Sequence, residues 1–157
     1  MTTRVLFVCL GNICRSPTAH GVFSQLISNA GLADRILVDS AGTSSWHEGT
    51  VPDSRAVQVA RAQGYDLSFI RSRQVTSTDF VEQDLILAMD NDNLANLQAR
   101  CPVEYQQKIY RFLDFAEDLN TREVPDPYYG GNEGFIRVLS LVEHGGRALL
   151  AHLQQGY

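Results

Sequence analysis

The chain has 157 residues, of which 44% are hydrophobic and 20% are charged, a composition typical of a folded globular protein and too apolar for a disordered one. Thirteen basic and eighteen acidic side chains leave a net charge of −5, which argues against a nucleic acid or a membrane as the main partner, because both require a strongly basic surface. The length fits one domain over residues 1–157, with a hydrophobic core of its own.

Short continuous apolar runs mark the predicted strands. Runs of this kind are typical of strands that are buried on both faces of a sheet. They lie at residues 5–8, 36–38, 85–89 and 109–112.

Helical patterns separate these runs. The first helix is predicted to have Ser16 as N-cap, Pro17 as first helical residue and Gly31 as terminator. Further helices are predicted at residues 53–62 and 91–99 and from residue 132 onward, where the glycine pair at 145 and 146 favours a kink or a break. Strands that alternate with helices predict an α/β fold, a single doubly wound domain with a four-stranded parallel sheet flanked by helices on both faces.

The segment from Cys9 to Ser16 joins the first strand to the first helix, where doubly wound sheets bind their ligands. A loop here can turn its amide groups inward around an anion, and the helix N-terminus adds positive potential. Gly11 and Asn12 tolerate the left-handed conformations that such a loop requires. Arg15 offers a planar fork for phosphate, and Cys9 would be a thiolate in this field, with the Ser16 hydroxyl as its hydrogen-bond donor.

Two other interpretations of this segment compete with an anion site. A cysteine at a strand end is usually a small buried hydrophobe. A turn containing glycine could also hold a nucleotide phosphate, but neither nucleotide-binding fingerprint is present. The pattern Cys-x5-Arg-Ser between a buried strand and a helix is more specific than either half alone.

These residues resemble a known family. Residues 8–17 are similar to the signature loop of the low-molecular-weight protein tyrosine phosphatases, and residues 126–130 are similar to the motif in which that family carries its general acid. Residues 38–42 and the pair Arg73-Gln74 extend the resemblance over nearly the whole chain.

The resemblance implies hydrolysis of phosphotyrosine and aryl phosphates through a cysteinyl-phosphate, with no cofactor and no metal. It makes Cys9 the nucleophile, Arg15 the phosphate clamp and Asp126 the acid that protonates the leaving oxygen and then activates water. It assigns the phosphate-binding loop to Leu10, Gly11, Asn12, Ile13, Cys14 and Ser16, its support to Ser40, and the walls of the substrate cleft to Trp46, Tyr128 and Tyr129.

One position departs from the family. Many members carry a histidine in the network that supports the loop, three residues before the Arg-Gln pair, and Ile70 stands at that place here. None of the chain's own histidines, at positions 20, 47, 144 and 152, has a predicted partner.

Three rival functions follow from the same resemblance. Arsenate reductases on this scaffold use two further cysteines after the third helix region, and residues 82–99 contain none. Phosphoarginine phosphatases of this type carry threonine where Ile13 stands. An inactive phosphotyrosine-binding module would not need Cys9, Arg15 and Asp126 together.

Three cysteines and the absence of a visible targeting segment predict a cytoplasmic protein without a disulfide scaffold. The expected partners are phosphotyrosine-containing proteins, with a cognate tyrosine kinase among the candidates, and the expected state is a monomer or weak dimer. Cys9 and Cys14 lie in one short loop, so Cys14 is also a predicted redox partner that would form a disulfide with an oxidised Cys9.

Overall fold

A computed structural model describes residues 2–155 and contains one parallel sheet of four strands. The strands are β1 (Thr3–Cys9), β2 (Ile36–Gly42), β3 (Leu85–Ala88) and β4 (Ile109–Arg111), in the spatial order β2-β1-β3-β4. The predicted doubly wound α/β fold with four parallel strands is therefore confirmed.

The strand order places the carboxyl end of β1 at the point where the winding of the sheet reverses. β1 pairs with β2 on one side and β3 on the other, so that Val8 lies opposite both Ala41 and Ala88. The connection from β1 runs to one edge, and all later strands lie on the other side. Such a reversal opens a crevice at the carboxyl ends of the strands, which is where this fold binds ligands.

The helices cover both faces of the sheet. They are α1 (Arg15–Asn29), α2 (Ser54–Ala62), α3 (Ser77–Glu82), α4 (Asn91–Arg100) and α5 (Asn132–Gln154). On one face Val5 and Phe7 of β1 pack with residues of α1 and α5, and on the other Leu6 and Val8 pack with α3 and α4. Alternate side chains of a strand point to opposite faces, which explains why residues 5–8 form a continuous apolar run. Within residues 2–155 no helix is both long and apolar enough to cross a bilayer.

The start of α1 differs from the prediction. Cys14 rather than Ser16 occupies the N-cap position, so the helix begins at Arg15 and Pro17 is its third residue. The backbone amide and hydroxyl of Thr18 both donate to the carbonyl of Cys14, which closes the first turn earlier than expected. Ser16 is thereby inside the helix, and its hydroxyl is available to the loop. The helix ends as predicted, with Gly31 just after its C-cap.

The remaining helices largely match the predictions. Asp53 caps α2 by accepting a hydrogen bond from Arg55 N, and Asp90 caps α4 in the same way from Asn93 N. The short helix α3 was not predicted, because six residues carry too little periodicity; a capping box between Thr76 and Asp79 starts it.

The glycine pair in α5 does not break the helix, which runs without interruption from Asn132 to Gln154. A Cβ at position 145 would lie 2.8 Å from a ring carbon of Phe112 and 2.9 Å from a methyl carbon of Leu113. Gly145 therefore allows the helix to approach these two side chains closely. The reason for the glycine is packing rather than bending.

Candidate active site

The loop between β1 and α1 is shaped by its carbonyl groups, which bond outward to other segments. Their donors are Thr43 N for Cys9, Ser44 N for Leu10, Ser72 Oγ for Gly11 and Asp53 N for Ile13, at 2.8–3.0 Å. An anion-binding loop needs this arrangement, because its amides can face inward only when its carbonyls are turned away.

Asn12 adopts the left-handed conformation predicted for the loop, with φ of 56°. Gly11 does not have a positive φ, so the loop uses this conformation at Asn12 and not at Gly11. The reason for a glycine there is a close neighbour: a Cβ at position 11 would lie 2.9 Å from Cδ2 of His47. The imidazole thus rests directly on the loop.

The thiol of Cys9 lies at the end of β1 and is only 2% exposed. Its Sγ is 3.1 Å from the Oγ of Ser16, and Asn12 Nδ2 donates to the same Oγ at 2.8 Å. Because Ser16 accepts from Asn12, it can direct its own proton to the sulfur. The two predicted loop residues therefore form a chain of hydrogen bonds to the thiol, from Asn12 to Ser16 and from Ser16 to Cys9.

Arg15 points into the same crevice from the first residue of α1 and is 2% exposed. Its Nη1 donates to Asp90 Oδ2 at 2.6 Å and to the carbonyl of Val124 at 3.0 Å. Burial acts to lower the pKa of Arg15, but the charges of Cys9, Asp90 and Asp126 outweigh it and raise that pKa. The guanidinium is therefore charged, and two fixed acceptors orient it.

Asp126 belongs to a segment without helix or strand, residues 126–130, which we call the acid loop. Its Oδ2 lies 3.7 Å from Arg15 Nη2, and its Oδ1 accepts a hydrogen bond of 3.0 Å from Tyr128 N. The side chain is 41% exposed. The carboxyl is thus open to solvent on one side and faces the Arg15 guanidinium on the other. In sequence, Asp126 lies more than 110 residues after Cys9.

One open cleft is lined by the thiol of Cys9, the guanidinium of Arg15 and the carboxyl of Asp126. Aromatic side chains form its mouth, with Tyr129 95% and Trp46 74% exposed. The rings of Tyr128 and Tyr129 meet edge to face at 5.0 Å. The structure therefore brings together the predicted cleft residues, and it adds His47, which also lines the cleft.

A partly buried ion network around Arg73 holds the side chain of Asn12. Arg73 N donates to Asn12 Oδ1 at 3.1 Å, and its guanidinium bonds both Asp39 and Asp79 at 2.9 Å. Hydrogen bonding by Asp79 raises the pKa of Arg73. The left-handed residue of the loop is thus tied to three segments that are distant in sequence.

Ser40, predicted to support the loop, is buried, and its hydroxyl lies 2.8 Å from Nδ1 of His20 in α1. Ile70, which stands at the place of the family histidine, packs instead in an apolar cluster with Cys14 and Phe135. A histidine therefore reaches Ser40 from the helix rather than from the segment before Arg73. Burial lowers the pKa of His20 to about 4.

Cys14 lines the same cleft as Cys9 but is 5% exposed. Burial, followed by the charges of Asp53 and Cys9, raises the pKa of Cys14, so its thiol is protonated at neutral pH. All three cysteines are free, and Cys101 is the C-cap of α4. In the described part of the chain no three His, Cys, Asp or Glu side chains form a group that could hold a metal ion.

Several residues of the site were missed by the sequence analysis. Asp90 lies two residues after the end of β3, and β3 is the neighbour of β1, so the rule that ligands bind at the carboxyl ends of adjacent strands could have found it. His47 follows the predicted cleft residue Trp46, but nothing in the sequence indicates that it contacts Gly11. The contact between His20 and Ser40 had no sequence signal at all.

The fold and the site together define a doubly wound α/β protein in which a buried thiol and a buried arginine flank the loop between the first strand and the first helix. The family model for low molecular weight phosphotyrosine protein phosphatases matches residues 4–156. The low molecular weight protein-tyrosine-phosphatase YfkJ of Bacillus subtilis is 41% identical over 151 residues, 96% of each chain. The chain therefore belongs to the low molecular weight phosphotyrosine protein phosphatase family.

Solved structures agree with this assignment. A protein tyrosine phosphatase from Entamoeba histolytica is 48% identical and superimposes with a TM-score of 0.96, covering 99% of each chain. A Drosophila arginine phosphatase is 32% identical with a TM-score of 0.88, covering 96% of this chain and 97% of that one.

Proposed function

We propose that this protein is a protein-tyrosine-phosphatase that hydrolyses phosphotyrosine through a covalent intermediate on Cys9. The observation that carries the proposal is the convergence of three groups in one cleft: the thiol of Cys9, the anchored guanidinium of Arg15 and the carboxyl of Asp126. Family membership supports the same activity.

In the first step the Cys9 thiolate attacks phosphorus in line with the tyrosyl oxygen. The S–P bond forms as the P–O bond breaks, and Asp126 transfers its proton to the departing oxygen, which leaves as neutral tyrosine. Arg15 and the loop amides stabilise the equatorial oxygens, whose charge they face. The Ser16 hydroxyl, 3.1 Å from Sγ, stabilises the thiolate before attack.

In the second step water hydrolyses the cysteinyl-phosphate. Asp126, now a carboxylate, takes a proton from water while the water oxygen attacks phosphorus and the S–P bond breaks. The sulfur leaves as a thiolate, again stabilised by Ser16. Inorganic phosphate departs, and Asp126 is protonated for the next turnover.

The cleft favours an aryl phosphate over a phosphoguanidine. Ile13 contributes an apolar side chain to the lining, and Tyr128, Tyr129 and Trp46 surround the mouth with rings that can pack on a tyrosyl ring. No feature of the described site favours arsenate reduction, since Cys101 lies outside the cleft and its thiol donates a hydrogen bond to the carbonyl of Pro102.

The proposal extends to the setting of the enzyme. The substrates are phosphotyrosine-containing proteins of the cytoplasm, a cognate tyrosine kinase among them, and neither a nucleic acid nor a membrane is a partner. The enzyme acts as a monomer or weak dimer. Peroxide inhibits it reversibly by oxidising the Cys9 thiolate to a sulfenic acid, which then condenses with the Cys14 thiol to a disulfide and water.

A panel of phosphotyrosine, phosphoserine and phosphoarginine peptides tests the proposal, with no metal added. Only phosphotyrosine should be hydrolysed efficiently, and Cys9→Ser should abolish turnover. Asp126→Asn should slow the hydrolysis of phosphotyrosine, whose leaving group has a pKa of about 10, more than that of an activated aryl phosphate. Full activity in Cys9→Ser, or loss of activity in a chelator, would refute the proposal.

A further inference from the structure

Arg55, the second residue of α2, lies between the two loops that form the site. Its guanidinium donates two hydrogen bonds to the carboxylate of Asp53, from Nε to Oδ1 at 3.0 Å and from Nη2 to Oδ2 at 2.9 Å. This bidentate contact holds the guanidinium in one orientation. The carboxylate itself is fixed, because it also caps α2. Arg55 is thus a rigid group on a rigid helix end.

The same guanidinium also bonds the acid loop. Nη2 donates to the carbonyl of Tyr128 at 3.1 Å and Nη1 donates to the carbonyl of Gly130 at 3.4 Å. The guanidinium carbon lies 5.5 Å from the centre of the Tyr128 ring and 4.6 Å from that of Phe135. Two hydrogen bonds and two cation–π contacts therefore join Arg55 to the loop and to the helix that follows it.

Besides these contacts, Asp126 of the acid loop faces Arg15 at 3.7 Å and the buried Pro127 packs beside Gly134 of α5. The other hydrogen bonds of the loop are internal, from Tyr128 N to Asp126 Oδ1 and from Gly130 N to Pro127 O. Within residues 2–155, the hydrogen bonds that reach its residues 127–130 from elsewhere come from Arg55. Arg55 thus holds the backbone of the acid loop two residues after Asp126, at Tyr128, and again at Gly130.

The anchor of Arg55 is connected to the phosphate-binding loop as well. The backbone N–H of Asp53 donates to the carbonyl of Ile13 at 2.8 Å. Asp53 and Arg55 together thus span the distance from the loop that carries Cys9 to the loop that carries Asp126. Neither residue lines the cleft itself.

We propose that Arg55 is a positioning residue, which holds the acid loop so that Asp126 can protonate the leaving group and activate water. This inference rests on the proposed function. Arg55 acts through Asp126 and does not touch the substrate. Its removal should therefore impair the steps that use Asp126 and leave anion binding by the phosphate loop intact.

The test is a double-mutant cycle of Arg55→Ala and Asp126→Asn, with single-turnover kinetics on a phosphotyrosine peptide. A small displacement of a catalytic group costs up to about 100-fold in rate, so we expect Arg55→Ala to lose about that much in kcat, and less on p-nitrophenyl phosphate, whose leaving group needs less protonation. In the Asp126→Asn background the same change should have almost no further effect. The inhibition constant of inorganic phosphate should stay the same.

Arg61→Ala is the matched control, because it removes the same charge from the exposed far end of α2. It should leave all rates unchanged. Arg55→Lys keeps the charge but cannot make the bidentate contact with Asp53, so we expect its kcat to lie between those of Arg55→Ala and the wild type. This variant also supplies the test if Arg55→Ala does not fold. Equal losses in both backgrounds, or equal losses on both substrates, would overturn the role of Arg55. Absence of phosphotyrosine hydrolysis by the wild type would instead refute the proposed function.

Discussion

Asp90 joins Arg15, the proposed phosphate clamp, to the start of α4. One of its carboxylate oxygens accepts a hydrogen bond of 2.6 Å from Arg15, and the other accepts one of 2.7 Å from Asn93 N at the start of α4. Because Asp90 lies only two residues after the end of β3, it links the orientation of the Arg15 guanidinium to a central strand of the sheet.

We expect Asp90→Asn to weaken this clamp without unfolding the chain, because an amide oxygen can still cap α4. Loss of a charged partner of a buried arginine should lower the free energy of unfolding by about 2 kcal/mol. It should reduce kcat/KM about tenfold or more, as Arg15 gains freedom. Asp92→Asn, an exposed change in the first turn of the same helix, is the control. Unchanged kinetics in Asp90→Asn would show that the Val124 carbonyl alone orients Arg15.

Ile13→Thr tests what makes the cleft selective. A hydroxyl at this position of the lining should favour a phosphoguanidine, and the ratio of phosphoarginine to phosphotyrosine activity should rise about tenfold. The measurement is kcat/KM on matched peptides. Ile136→Thr, the same exchange on the exposed face of α5, should leave the ratio unchanged. An unchanged ratio in Ile13→Thr would mean that the aromatic side chains at the mouth of the cleft discriminate between the two substrates.

Cys14→Ser tests the redox switch. After peroxide treatment, dithiothreitol should restore activity in the wild type and in the buried control Cys101→Ser, but markedly less in Cys14→Ser, where Cys9 is oxidised further. Because burial raises the pKa of Cys14, its reactive thiolate is scarce, and formation of the disulfide should accelerate as the pH rises. Equal recovery in all three proteins, or no Cys9–Cys14 linkage by mass spectrometry, would exclude the switch.

His20 should make the stability of the fold depend on pH. Its pKa falls from 6.5 to about 4 because burial penalises the charged ring. The unfolded chain therefore binds the proton first, and the contribution of His20 to the free energy of unfolding decreases as the pH drops from 6.5 toward 4. The full difference is about 3 kcal/mol.

Denaturant unfolding at several pH values measures this effect. Between pH 6.5 and 4 the wild type should lose more stability than His20→Gln, whereas the exposed control His152→Gln should follow the wild type. Parallel curves for wild type and His20→Gln would mean that other groups account for the acid sensitivity.

The parts of the site that are local in sequence could be predicted. β1, the loop and α1 are contiguous, so the apolar run, the cysteine and the arginine already indicate an anion site at a strand end. Asp126 lies far from this loop in sequence, and only the resemblance to a family could assign it. The left-handed residue could be narrowed to Gly11 or Asn12, since both types tolerate that conformation; in the structure it is Asn12.

The contacts that hold the site in place could not be predicted, although the position of Asp90 after a central strand could have marked it as a residue of the site. Arg55, Arg73 and Asp90 come from segments that meet only after the sheet has formed, and charged residues at these positions have ordinary roles as helix caps or surface groups when considered alone. Ser16 shows the same limit in reverse. Its residue type favours an N-cap, but the early closure of α1 at Cys14 leaves its hydroxyl for the thiol.

The outward bonds of the loop carbonyls have a consequence for product release. Four donors from three separate segments fix the loop, so little conformational entropy remains to be lost when an oxyanion binds. Orthophosphate presents the same oxygens as the substrate and should therefore compete with it. The rate of phosphotyrosine hydrolysis in a cell would then fall as the concentration of free phosphate rises. The activity of the enzyme would therefore depend on the phosphate supply as well as on the amount of phosphorylated substrate.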